Sequence, residues 1–199
     1  MSVETTAVAS GAPGYPLRFD VQYPEQLSRW LIFVKWLLAI PHFIILYALG
    51  LVSSVILFIA FFAILFTKKF PRGLFDFVVN VNRWNANVFA YYGLLRDEYP
   101  PFSWEPGQYP VTYEVDYPEE LNRWLPLIKW LLIIPHLIVL LLVLLVAYVA
   151  WFIAFFAILF TGRFPRGLFD FIVGAIRWNY RVGAYLYLLR DEYPPFSLN

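Results

Sequence analysis

The stretch KWLLAIPHFIILYALGLVSSVILFIAFFAILFTKKFPRGLFDF, residues 35–77, decides how this chain folds. From Leu31 to Phe66 the sequence carries one charge, Lys35, close to the start of the block. About 20 apolar residues suffice to cross a bilayer, and a buried soluble helix seldom stays apolar on every face for longer. A second block, Leu125 to Phe160, repeats the pattern with Lys129 as its one charge. Both blocks predict membrane insertion. Composition agrees: 61% of the 199 residues are hydrophobic and 15% charged, against roughly half and a quarter in soluble domains.

Shifting the chain by 94 positions aligns Tyr15–Glu105 with Tyr109–Asn199 without a gap, and roughly 57 of 91 positions are identical. The organisation read from this is a flexible N-terminus over 1–14, one membrane repeat over 15–103, a connector over 104–108 and a second repeat over 109–199. The absence of cysteine excludes disulfides, thiolate catalysis and thiolate metal sites. A net charge of +1 with no basic face argues against nucleic acid as a partner.

The run YPxxLxRW, KWLLxIPH, FAILFTxxFPRGLFDF, RWN and RDxYPPFS, present in both repeats, resembles an uncharacterised bacterial integral-membrane family known as a domain of unknown function. That family is often duplicated in one chain. The resemblance implies a bacterial cytoplasmic (inner) membrane, crossed several times. It brings no reaction, ligand or functional residue with it.

Within a repeat, 17–22 and 111–116 alternate apolar and polar, the period of a half-buried strand. A single strand cannot satisfy its backbone, so the two are expected to pair with each other or with another subunit. Arg29, Trp30, Lys35 and Trp36 then suit a headgroup interface. Pro41 and Pro135 start or kink one long helix, which runs from His42 or His136 with no turn residue inside the second copy. After an FPRG turn, a second helix covers about 74–95 and 168–189. The fold class expected is an all-α integral membrane protein of two tandem repeats with short β-strands outside the membrane. Each repeat holds an interfacial segment, a long transmembrane helix and a second amphipathic or transmembrane helix. The turns carry Lys68, Lys69 and Arg72, then Arg163 and Arg166, while Arg96–Glu120 is acidic. The positive-inside tendency favours four spans with both turns cytoplasmic and the strands outside. Repeats of the same orientation place the pseudo-twofold axis along the membrane normal. The competing reading lays the second helix flat, with one span or a re-entrant dip per repeat.

Asp76, Asn80, Arg83 and Asn87 share one face of the second helix, as do Asp170, Gly174, Arg177 and Arg181 in the other repeat. Asp76 and Arg83 are too far apart along one helix to pair easily, so Asp76 is expected to meet Arg177, and Asp170 to meet Arg83, across the repeats. Lys68, Lys69, Arg72, Arg163 and Arg166 suit a lipid phosphate at a helix N-terminus. His42 and His136 could form a metal or proton-relay pair, but no Cys, Asp or Glu cluster completes a shell, so interfacial polar positions are the simpler reading and no metal is expected. The Tyr-Pro-Pro-Phe endings can dock on the strands or on a partner. No phosphate loop, nucleophile elbow or metalloprotease motif occurs. The expectation is a non-enzymatic membrane scaffold or accessory subunit without cofactor. Its expected partners are the lipid bilayer and either further copies or other membrane-protein subunits. The rival is a small oligomeric transporter or channel using the Asp/Arg stripes.

Overall fold

A computed structural model describes residues 14–199, so the flexible start expected over 1–14 lies almost wholly outside the described residues. Repeat 1 consists of strand β1 (Leu17–Val21), a 3-10 turn at Leu31–Phe33, and helices α1 (Lys35–Leu38), α2 (Ile40–Thr67) and α3 (Arg72–Tyr92). Repeat 2 consists of β2 (Val111–Val115), α4 (Leu125–Leu132), α5 (Ile134–Thr161) and α6 (Arg166–Leu186). The fold is mostly helical, with two long apolar helices and one small sheet.

Each long helix is unbroken over 28 residues. Pro41 and Pro135 lie in the first turn, where the missing N–H has no intrahelical acceptor to lose. Both helices stop on a left-handed residue, Lys68 at φ 59° and Gly162 at φ 71°. Glycine takes this backbone freely, whereas a side chain costs about 1 kcal/mol there. Pro71 and Pro165 then precede α3 and α6, which run 21 residues each.

The two strands pair antiparallel with each other, and Phe19 stands opposite Tyr113, its own equivalent 94 positions on. A local twofold axis therefore passes through that pair, normal to the sheet. Around it the repeats exchange parts: β1 packs on α6 and β2 on α3. After the strands the exchange continues, for Leu27 N–H donates to Gly162 O at 2.8 Å and Leu121 N–H to Lys68 O at 2.8 Å. Phe33 meets Phe155 edge-on at 5.7 Å. The chain entering each long helix thus lies along the C-terminal half of the other, and α2 and α5 run in opposed senses. Each FPRG turn lies beside a strand exit, with Tyr117 and Tyr23 donating to Phe70 O and Phe164 O, so turns and strands share one side instead of the opposite sides expected from the positive-inside tendency.

Polar elements collect on the sheet side. Arg18 bridges Glu114 and Asp116 on the strand surface, and Tyr117 and Tyr23 hydrogen-bond from beyond the strands to Phe70 O and Phe164 O in the opposite repeat's FPRG turn. The other side is apolar. α2 and α5 are long and apolar enough to cross a membrane, with mean hydropathy 2.8 and 3.0. Only 17% and 22% of their most apolar stretches are buried, which separates them from the core helix of a soluble protein. Trp30, Trp36, Trp124 and Trp130 stand exposed around them.

Candidate functional site

The second helices carry the polar residues singled out from the sequence, and the structure distributes them differently. Asp76 pairs with Arg72 at 3.1 Å and Asp170 with Arg166 at 3.1 Å, each four residues apart on its own helix. Each of these arginines also lies over a tyrosine of the other repeat, Arg72 over Tyr117 and Arg166 over Tyr23, both at 4.5 Å. The expected Asp76–Arg177 and Asp170–Arg83 pairs do not form, because the i,i+4 arginine is nearer and belongs to the same rigid helix.

Arg83 and Arg177 do join the repeats, but through the strands. Arg83 donates to Tyr113 O at 3.0 Å, to Trp104 O at 3.0 Å and to Asn80 Oδ1. Arg177 donates to Phe19 O at 2.7 Å and Leu198 O at 2.9 Å, and its Nη2 pairs with Asp20 at 3.0 Å. Each guanidinium therefore ties its helix to the strand of the opposite repeat. Gly174 sits one turn before Arg177, where a Cβ would come within 2.8 Å of Leu198 O.

The basic turn residues stay near the surface. Lys68 pairs with Glu120 at 3.0 Å, Lys69 and Arg163 are exposed, and Arg72 and Arg166 keep 65% of their side chains accessible beyond their aspartates. All five lie on the sheet side, the three of the first turn and the two of the second each beside the strand exit of the other repeat.

Two constellations were not read from the sequence. Lys35, 1% exposed, pairs with Asp97 at 2.7 Å and donates to Arg96 O at 2.6 Å; Lys129, 2% exposed, does the same with Asp191 and Arg190 O. Burial pulls both ammonium groups below their ordinary values, opposed by the aspartates. Asp97 also accepts from Ser28 N–H, and Asp191 from Asn122 N–H, which fixes the chain entering the helix. Arg96 and Arg190 clamp Glu98 and Glu192 and reach Gln22 O and Asp116 O at the strand ends. Burial raises the two glutamates, but hydrogen bonds from the arginines and from backbone N–H groups, together with the arginine charge, outweigh it and hold both carboxyls below the usual range.

The second constellation surrounds the histidines. His42 Nδ1 accepts from Trp84 Nε1 at 3.1 Å and the ring stacks on Phe102 at 4.0 Å; His136 repeats this with Trp178 and Phe196 at 3.1 and 3.8 Å. A nitrogen that accepts leaves the ring proton on Nε2. Tyr99 and Tyr193 hydroxyls close the lid on Leu38 O and Leu132 O. The Tyr-Pro-Pro-Phe endings are thus straps over the starts of the long helices. Each histidine is an aromatic anchor within its own repeat, and among the described residues no group of three His, Cys, Asp or Glu side chains could hold a metal ion.

An apolar groove of about 610 Å3 opens between the entry to repeat 1 and helices α3, α5 and α6, walled by Phe33, Trp36, Tyr92, Tyr148, Trp151 and Phe155.

Together these features define a class: a duplicated helical module whose halves exchange strands across a two-stranded cap, polar on one side and apolar on the other. The chain belongs to the family described as Domain of unknown function (DUF4389), matched over residues 29–103 and again over 124–197. Both matched stretches begin after the strand. Comparison with curated proteins and with solved structures yields no match.

Proposed function

We propose that this chain is a non-enzymatic scaffold or accessory subunit lodged in one face of a membrane, the bacterial cytoplasmic membrane. The observation that carries the reading is its one-sidedness. Ion pairs, basic turns and connector share the sheet side, while two barely buried apolar helices form the other. An apolar face this wide is not left in water by a monomeric soluble protein.

The opposed senses of α2 and α5 support an in-plane placement. With the twofold axis along the membrane normal, the sheet and both basic turns meet one interface, and the long helices lie within the hydrocarbon beneath them. With the axis in the membrane plane, the helices would cross in opposite directions and the Arg18–Glu114 and Arg18–Asp116 pairs would sit at mid-depth. There a charge costs about 2.5–3.5 kcal/mol or more. The in-plane reading departs from four crossings and keeps the two near-identical turns in one environment. It gives Lys69 and Arg163, with Arg72 and Arg166, access to lipid phosphates at that interface. The groove walled by Trp36 and Trp151 suits an acyl chain.

The scaffold reading also rests on how the polar residues are used: Arg72, Asp76, Arg83, Arg166, Asp170 and Arg177 of the second helices hold elements together. Purified full-length protein in nanodiscs is expected to form one defined assembly, either of its own copies or with another membrane subunit at fixed ratio, and to resist alkaline carbonate extraction from native membranes. Release into buffer as a monodisperse species without amphiphile, or turnover of a lipid by the purified chain, contradicts the reading.

A further inference from the structure

Repeat 2 departs from repeat 1 at one buried polar position. Where α3 has Asn87, α6 has Arg181, 0% exposed. All three guanidinium nitrogens, Nε, Nη1 and Nη2, lack a hydrogen-bond partner among the described residues. The Tyr15 ring covers the group, with the guanidinium carbon 5.5 Å from its centroid, and the Tyr15 hydroxyl is held by Arg181 O and Glu192 O at 3.4 and 3.3 Å. Burial weighs against the Arg181 cation, and Arg177, one turn earlier, adds positive charge to the same effect. The carboxylates on this flank are committed elsewhere, Asp20 to Arg177 and Glu192 to Arg190.

A buried guanidinium without acceptors is among the costliest arrangements a protein can hold. Asparagine at this position is tolerated in the other repeat, so the fold does not require arginine here. The five N–H donors of arginine form a planar fork matched to an oxyanion.

We propose that Arg181 is the binding group of a phosphate-class oxyanion site specific to repeat 2, capped by Tyr15 and reinforced by the field of Arg177. The anion is either free phosphate or the phosphate of a lipid headgroup, two sources of the same chemistry. The site is separate from the basic FPRG turns and does not depend on how the long helices sit in the membrane.

The test uses full-length protein in neutral detergent and phosphate-free buffer, followed by tryptophan fluorescence on heating. Inorganic phosphate should stabilise the wild type saturably. Arg181→Asn, which copies repeat 1, should bind about tenfold or more weakly and in phosphate-free buffer should be at least as stable as the wild type. Arg181→Lys keeps the charge and loses the fork, so its affinity should fall between the two. In nanodiscs doped with phosphatidylglycerol, native mass spectrometry distinguishes the sources. One anionic lipid retained by the wild type and lost in Arg181→Asn assigns a headgroup, while phosphate binding without lipid retention assigns the free anion. A wild type that responds to neither, or an Arg181→Asn variant that responds as the wild type does, overturns the proposal.

Discussion

Asp97→Asn is expected to destabilise the protein by about 3–5 kcal/mol, because it strips the counter-charge from a lysine that has no route to water. Lys35 is 1% exposed and has Asp97 and Arg96 O as its hydrogen-bonding and ionic partners. Asparagine still fills the space and can still accept from Ser28 N–H, so the loss isolates the charge. Asp191→Asn is the matching change for Lys129. Adding Lys35→Met to Asp97→Asn should restore most of the stability, since an apolar side chain of similar volume carries no charge to be paired. Chemical unfolding in a fixed detergent measures all three. Equal stability of Asp97→Asn and wild type would show that Lys35 is neutral or reaches water, against the geometry described.

The second large effect is expected at the tryptophans. Trp84→Ala removes a 6% exposed ring that packs on Leu46 and Val88 and donates to His42. Buried tryptophan truncations cost about 3–5 kcal/mol. Trp84→Phe keeps most of the packing but leaves the buried His42 nitrogen without a donor, at about 1–3 kcal/mol. The loss should concentrate in the strap, because Phe102 stacks on the same histidine and Trp84 also meets Trp104. Limited proteolysis should open 96–104 first in either variant, while the corresponding strap over His136 stays protected. Equal cleavage of both straps would mean that each is not anchored by its own histidine.

Much of this architecture could be read from residue order. The uncharged blocks announced two long helices, and their bounds at Ile40–Thr67 and Ile134–Thr161 fall within a few residues of those drawn from the sequence. Alternation over 17–22 and 111–116 announced strands that pair. What could not be read is which repeat each strand serves. With most aligned positions identical, pairing within and across the repeats satisfies the same pattern, and the choice is made by connection geometry, not by composition. The same degeneracy misdirected Asp76 and Asp170. Arg72–Asp76 and Arg166–Asp170 were legible as i,i+4 pairs, whereas the seven-residue spacing to Arg83 and Arg177 pointed to pairing across the repeats. Lys35–Asp97 and His42–Trp84 join residues 62 and 42 positions apart with no local pattern. A recurring hint existed, since the equivalent residues stand at the same separations in repeat 2.

The central claim is that opposed long helices lie beneath a single polar surface. Because the chain has no cysteine, Lys69→Cys, Arg163→Cys and Gln108→Cys can each be made as a single labelling site in sealed, oriented membrane vesicles. An impermeant maleimide should reach all three from the same side, since both basic turns and the connector belong to the sheet face. Labelling of Lys69→Cys and Arg163→Cys from opposite sides, or of both from the side opposite Gln108→Cys, would contradict that placement.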